Sequence, residues 1–464
     1  MSNDAASNDP RLLSLWLDSC DDDLTTRSPL AGSTQVDVVI VGAGLTGLWT
    51  AYHLLRDDPS RRVLVVEAEI AGFGASGRNG GWCSALYPVS LTSLAARHGR
   101  KAAIAQYHAM VDNLDAIEEI LVEEGIDCDW ARGGTLDVVR SPAQLTRAQA
   151  TVAEAREFGF GSDRLELLDT TATLARVQAT QTLGSTFTPD CAAIHPGKLV
   201  RGLARAVERR GGRIVEHTRA LDVSPGLVRT AFGDVRAADV LVATEGFTPA
   251  LPGRHRDIVP IYSLMIATAP LPADVWSSIG LTARETFTDF RHLIVYGQRT
   301  ADDRIAFGGR GAPYHFASRV QPGFDREPSV FAALQDALVA LFPMLDGVPV
   351  THRWGGPLGV TRDWSASVRY DAATGLGSAG GYVGDGVSTT HLAGRTLADL
   401  VARRDTPLTR LPWVGHVSPS WEPEPLRYVG ARLLSRGVAA ADAAESRGRS
   451  AGFVPAVLDR LLRH

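Results

Sequence analysis

The sequence predicts a mixed α/β fold: a parallel-sheet domain assembled from discontinuous pieces, with an antiparallel-sheet domain inserted between them. Three observations point there. A strand, a glycine turn and a helix open at Val36, a second strand and helix alternation begins near His195, and longer strand-like runs of different character lie between and after these. With 464 residues, 45% hydrophobic and 21% charged, the chain is long and apolar enough to bury more than one core.

The elements follow in order. Met1 to Gln35 is acidic and polar, without the basic start and apolar core of a secretory signal, so a cytoplasmic location is expected. Val36 to Val41 is a continuous apolar run, the pattern of a strand covered on both faces. Leu45, Leu48, Trp49, Tyr52 and Leu55 then recur at helical spacing, "DDPS" breaks the helix, and "RRVLVVEAE" supplies a second strand. This is one βαβ unit. From His195, "HPGKLVRGLARAVERRGG" reads as a helix, followed by "RIVEHTRALDV", a hairpin-like "LVRTAFGDVRA" and a strand "DVLVAT". "GGTLDVVR", "IVPIYSLMIATA", "HLIVYGQ" and "RIAFGGRG" read as antiparallel strands, with helices around Leu145 to Phe158 and Ser329 to Leu341. The expected division is an extension (1–35), a cofactor domain (36–100, 190–254 and 352–405), an inserted substrate domain (101–189 and 255–351) and a tail (406–464). The tail either docks a partner or wraps back over the chain.

Composition excludes several classes. A formal charge of -5 gives no support to nucleic-acid binding, and Arg97 to Lys101 reads as a solvated helix end. No apolar run approaches the roughly 20 residues needed to span a bilayer. Cys20, Cys83, Cys128 and Cys191 form no metal-ligand spacing and are expected to be free thiols. Lysine occurs only as Lys101 and Lys198.

Gly42, Gly44 and Gly47 fit GxGxxG, with Leu45 and Thr46 at the start of the helix whose amino end would face phosphates. Glu67, followed by Ala68, closes the second strand where a carboxylate meets ribose hydroxyls. The fingerprint serves NAD and FAD alike. "GFGASGRNGGWC", Gly72 to Cys83, adds a second small-residue loop that includes Gly74 and Ala75; it suits a ligand longer than a mononucleotide, and a flexible linker is the alternative.

At these residues the sequence resembles the flavin-dependent amine and amino-acid oxidoreductases of the D-amino-acid oxidase superfamily, which includes glycine and sarcosine oxidases. "GFGASGRNGGW", "VPIYSLMIATAPL" and "RWGGPLGVTRDWSASV" look most like the branch containing γ-glutamylputrescine oxidoreductase, and the similarity runs from about Trp16 to Ala402. The resemblance implies FAD, with Gly42, Gly44 and Gly47 at the pyrophosphate and Glu67 at the adenosine ribose. It places Ser76, Arg78, Asn79, Gly80 and Gly81 along the ribityl chain, and Ala220 beside adenine. It also places Ala243, Thr244, Glu245, Gly246 and Phe247 at a strand end near the cofactor, and Gly384, Asp385, Gly386, Val387 and Ser388 beside the flavin ring. Some relatives attach flavin through a carboxyl-terminal cysteine or a histidine after the paired glycines. Here no cysteine follows Cys191 and Trp82 follows Gly81, so dissociable FAD is expected. Sarcosine-oxidase-like enzymes use a lysine to help oxygen; none follows Lys198, so an arginine or histidine supplies the charge or another acceptor replaces O2.

The reaction implied is oxidation of the C–N bond of a small amine by hydride transfer to flavin N5, then hydrolysis of the imine. Trp82, Tyr262, Tyr296, Trp354 and Trp364 are candidate chamber walls, each equally a candidate core aromatic. Arg310, flanked by glycine, is a candidate for a substrate carboxylate or phosphonate, or for a structural ion pair. His292 and His315 are weaker alternatives. An NAD(P)H-dependent flavin reductase and a non-catalytic FAD-binding subunit of an electron-transfer complex are the competing readings.

Overall fold

The computed structural model describes residues 9–321 and 323–445, and among them the chain forms two eight-stranded sheets and one two-stranded ribbon. The first sheet runs Ser367–Asp371, Leu376–Gly380, Gly233–Val242, Thr34–Val41, Val63–Val66 and Arg213–Val215, its last five strands parallel to one another. Val38, Val39, Ile40, Leu64 and Val65 have no exposed surface, which is what a strand covered on both faces requires. One face packs under the helices Leu45–Asp57, Pro196–Arg209 and Gly386–Val401. The other is covered by the strands Ala220–Ser224 and Leu227–Thr230, which curl over it through Val223 and Val228.

The second sheet runs Val350–Val360, Val259–Thr268, Ile305–Arg310, Val295–Arg299, Thr286–Asp289, Thr135–Val139, Gly184–Thr188 and Glu166–Leu168. The helix Pro328–Leu341 lays Phe331, Leu334, Leu338 and Leu341 against Leu264, Ile266 and Phe307. The third element pairs Trp82–Ser84 with Cys191–Ala193.

Four details differ from the sequence expectation. Thr286–Asp289 pairs parallel with Thr135–Val139, so the second sheet is not purely antiparallel. Residues 352–360 belong to the second sheet: from Val350 to Val360 the strand pairs with Val259–Thr268 in an almost unbroken register. The helix Arg100–Glu124, expected with the inserted domain, buries Met110, Val111, Leu114 and Ile117 in the core of the first. Gly233–Val242 is one strand rather than a hairpin arm plus a separate strand, because its first half pairs with Leu227–Thr230 and most of its length with Thr34–Val41. The tail wraps back: the Trp421 indole donates to the Val360 carbonyl, and Trp413 is buried in the first core. Residues 1–8 and 446–464 of the extension and tail lie outside the described residues.

Candidate active site

A cavity of about 1210 Å³ lies between the two sheets. At one end stand Glu67, Ala68 and Ala220; along it run Gly42, Gly44, Leu45, Thr46, Gly74, Ala75, Ser76, Arg78 and Asn79, then Ala243, Thr244, Glu245 and Gly246. Tyr262, Gly384, Gly386 and Val387 also line it. The local sequence explains the trough. Gly42 turns at φ +109, where a Cβ would stand 2.6 Å from the Ala243 carbonyl oxygen, and a Cβ on Gly47 would lie 2.0 Å from the Gly42 carbonyl oxygen. Strand, turn and helix can therefore close only with glycine at both places. A side chain on Gly44 would fill the trough toward Ser76 Oγ, which accepts the Leu45 N–H at 2.9 Å.

The carboxylates of the wall are held by backbone. Glu67 accepts from the N–H of Ala43 at 2.7 Å and of Glu69 at 3.0 Å, while enclosure raises its pKa. Glu245, at φ 41, reaches across to accept the N–H groups of Gly381 (2.8 Å) and Tyr382 (3.2 Å), so it braces the turn before the helix Gly386–Val401. Enclosure pushes the Glu245 carboxyl up to about 7 against the pull of those amides. Arg78 is buried, donating to the Phe73 carbonyl at 2.8 Å and to the Gly355 carbonyl and Asp325 at 3.2 Å, with its guanidinium over the Phe73 ring.

The expected chamber residues divide. Tyr262 lines the cavity, with its hydroxyl buried near the Gln321 backbone. Trp82, Tyr296, Arg310 and Trp364 are half-buried beside the same glycine turn without lining the cavity itself. Tyr296 bonds Ser263 Oγ at 2.7 Å and meets Trp82 edge-on. Arg310 donates from Nη2 to the Val383 carbonyl at 2.7 Å and lies 5.3 Å over Trp364, making no ion pair among the described residues. Trp354 is a correction. It is 1% exposed, packs edge-on against Trp16, and its indole donates to the Arg78 carbonyl, which makes it core rather than chamber.

Several cofactor candidates act behind the wall. A Cβ on Gly80 would strike the Tyr296 ring, Gly81 bonds Asn79 and Ile194, and the Ser388 carbonyl accepts the Asn113 amide. Asp385 lies between the lining Gly384 and Gly386. His292 pairs with Glu445, away from the cavity, and His315 stacks on Phe324 at 3.5 Å. Sequence reasoning missed Asp9, Leu12 and Leu13, which line the cavity from the extension, and Ala317, which lines it elsewhere; Phe73 and Phe247, which also line it, lie within the two stretches the sequence singles out, Gly72 to Cys83 and Ala243 to Phe247.

A glycine-turned βαβ unit opening onto a trough of this length, continued past a second loop to a helix amino end, defines a protein built for a dinucleotide larger than a nicotinamide half. Residues 37–400 match the family described as FAD dependent oxidoreductase, and the chain belongs to that family. It is 33% identical over 377 residues to the γ-glutamylputrescine oxidoreductase of Escherichia coli (strain K12), covering 80% of this chain and 84% of that one. It is 23% identical to the glycine oxidase of Geobacillus kaustophilus, over 82% of this chain and 96% of the relative. The crystal structure of that species' glycine oxidase superposes with a TM-score of 0.69 at 22% identity, covering 83% and 100%. L-proline dehydrogenase from P. horikoshii superposes at 0.67 and 16%, covering 82% and 96%.

The residues present fit FAD, because the trough past Gly42 and Gly44 leaves bare backbone where a Cβ would intrude. None of the four cysteines lines the cavity, and Trp82 rather than a histidine directly follows Gly81. No described helix is long and apolar enough to cross a membrane.

Proposed function

We propose that this FAD-dependent oxidoreductase oxidises the C–N bond of a primary or secondary amine, drawn from amino acids, polyamine derivatives or aminophosphonate-like compounds. The product is an imine, which water hydrolyses to an aldehyde or keto compound. FAD, when bound, supplies the acceptor for the hydride. Gly42, Gly44, Ser76 and the amino end of the helix Leu45–Asp57 would hold its pyrophosphate, Glu67 its ribose, and the Gly384–Val387 turn its ring. The remaining work belongs to the chain. Trp82, Tyr296 and Trp364 exclude water and orient the substrate beside the turn, and limited solvation there favours the neutral amine. Arg310 keeps N–H groups free after its bond to Val383, and these would receive a carboxylate or phosphonate. The electron acceptor that follows is O2 or another oxidant, and the partners are small molecules.

The single observation that supports this reading best is the conjunction of the FAD trough with an aromatic and arginine cluster at its ring end, in a chain one-third identical to an amine oxidoreductase. Anaerobic titration of the FAD-loaded protein with primary amines, N-methylated amines, amino acids and aminophosphonates tests it. Bleaching of the visible flavin band by one class supports the proposal. Bleaching by NAD(P)H alone favours a reductase, and bleaching by nothing favours a carrier subunit. Where the amine is anionic, Arg310→Ala should raise KM about tenfold or more with a smaller change in kcat; unchanged kinetics remove Arg310 from the pocket.

A further inference from the structure

The turn 381–384, between the strand Leu376–Gly380 and the helix Gly386–Val401, holds a shape that its sequence does not favour. Val383, a β-branched residue, takes φ 57, in the left-handed region that such residues avoid, with Gly381 at φ 78 and Gly384 at φ 107 on either side. Glu245, which contacts this turn, is itself left-handed at φ 41. Backbone of this kind persists only where its surroundings over-determine it. The two strained residues meet on the wall of the cavity, which Glu245, Tyr382, Gly384, Gly386 and Val387 all line.

The turn is held from three directions. The Glu245 carboxyl accepts the N–H groups of Gly381 at 2.8 Å and Tyr382 at 3.2 Å. The Tyr382 hydroxyl bonds Thr46 Oγ1 at 3.0 Å, which ties the turn to the helix Leu45–Asp57. From the second sheet, the Gly359 carbonyl accepts the Val383 N–H at 3.3 Å and Arg310 Nη2 donates to the Val383 carbonyl at 2.7 Å. Glu245 also stands in a socket. A Cβ on Gly359 would lie 2.8 Å from its carboxyl carbon, and one on Gly380 2.8 Å from its Oε2, so a glycine from each sheet leaves the space that the carboxyl fills.

We propose that Glu245 is a positioning residue that locks this strained turn, so that the backbone of Gly384, Gly386 and Val387 stays presented to the flavin ring. This rests on the placement of the ring at that turn, which belongs to the proposed function above. Glu245 acts through the turn and takes no part in bond making. Its effect is electronic as well as steric. Reduction brings negative charge to the ring, and backbone N–H groups already held toward it favour that charge without reorganising. A released turn would relax at Val383 and carry the neighbouring amides with it.

The test measures the midpoint potential and visible band of the FAD-loaded full chain at pH 6, with no amine present. At that pH the Glu245 carboxyl, pushed up to about 7 by enclosure, keeps its proton, so an uncharged replacement removes contacts rather than charge. Glu245→Ala should lower the affinity for reduced relative to oxidised FAD about tenfold, which is about 30 mV for a two-electron couple. Glu245→Gln, whose amide oxygen still accepts one of the two N–H groups, should recover part of the loss, and so should adding Val383→Gly, which removes the strain, to Glu245→Ala. An unchanged potential and band in Glu245→Ala overturn the proposal. If Glu245→Ala takes up no FAD, amide hydrogen exchange in the unaltered FAD-loaded protein decides: the Gly381 and Tyr382 amides should exchange as slowly as those of the helix Gly386–Val401, and exchange as fast as in an open turn overturns the proposal. Gly386→Ala separates this failure from failure of the ring placement. A Cβ there would approach no atom closer than 3.6 Å, so the fold accepts it, and the visible band should shift if the ring lies at the turn. A band unmoved in both variants ends the placement and this inference with it; a band moved by Gly386→Ala alone ends the inference only.

Discussion

Gly42 shows how little freedom the cofactor trough has. Its φ of +109 is a conformation other residues avoid, and the Ala243 carbonyl stands where a Cβ would go. Gly42→Ala should therefore cost about 2–3 kcal/mol in stability through strain and overpacking and weaken FAD binding; denaturant unfolding of the apo-protein and FAD titration measure the two effects separately. Glu245 behaves differently, because its folded pKa lies above its ordinary value of 4.5, at about 7. Below pH 4.5 the carboxyl is protonated folded and unfolded; between 4.5 and 7 only the folded form keeps its proton, so the associated stability is lost as pH rises through about 7. Thermal unfolding of Glu245→Gln across pH 5 to 8 should lack this decline, on the order of 2–3 kcal/mol. Parallel curves for both proteins would show that Glu245 is charged throughout. The residues easiest to read in sequence were those whose neighbours lie close in the chain, such as the three turn glycines. Trp354 misled because an aromatic on a strand carries no mark of whether it faces a chamber or, as here, Trp16.

Among the elements, the stretch after Ile305–Arg310 crosses the cavity. Ala317 and Ser318 both take left-handed φ values, 60 and 54, in succession. Such backbone persists only where its surroundings over-determine it. Here Glu424 from the tail accepts the Tyr314 hydroxyl at 2.7 Å and the Ala317 N–H at 2.9 Å, and the Tyr314 hydroxyl in turn receives the Ser318 N–H. Glu424→Ala should loosen this crossing and speed tryptic cleavage after the exposed Arg319 about several-fold; an unchanged cleavage rate would mean the crossing holds without the tail. None of this was legible in the sequence. The stretch has no periodicity, and its partner lies more than a hundred residues away. The strand Val350–Val360 was divided wrongly for a related reason: glycines and a proline interrupt its apolar pattern, and its identity comes from pairing with Val259–Thr268. The parallel strands were legible because burial on both faces leaves a continuous apolar run.

At the scale of the whole molecule, two sheets with separate cores meet along one cavity, and residues from the extension, both sheets and the crossing stretch all line it. A ligand there touches all of these parts at once, so FAD should stabilise the assembly as well as serve its chemistry. The central claim is that this cavity holds one FAD without a covalent bond. The most direct measurement is acid precipitation of the FAD-saturated protein followed by quantification of flavin in supernatant and pellet. The account predicts one FAD per chain, all in the supernatant; flavin retained in the washed pellet, or protein that takes up none from excess FAD, would contradict it.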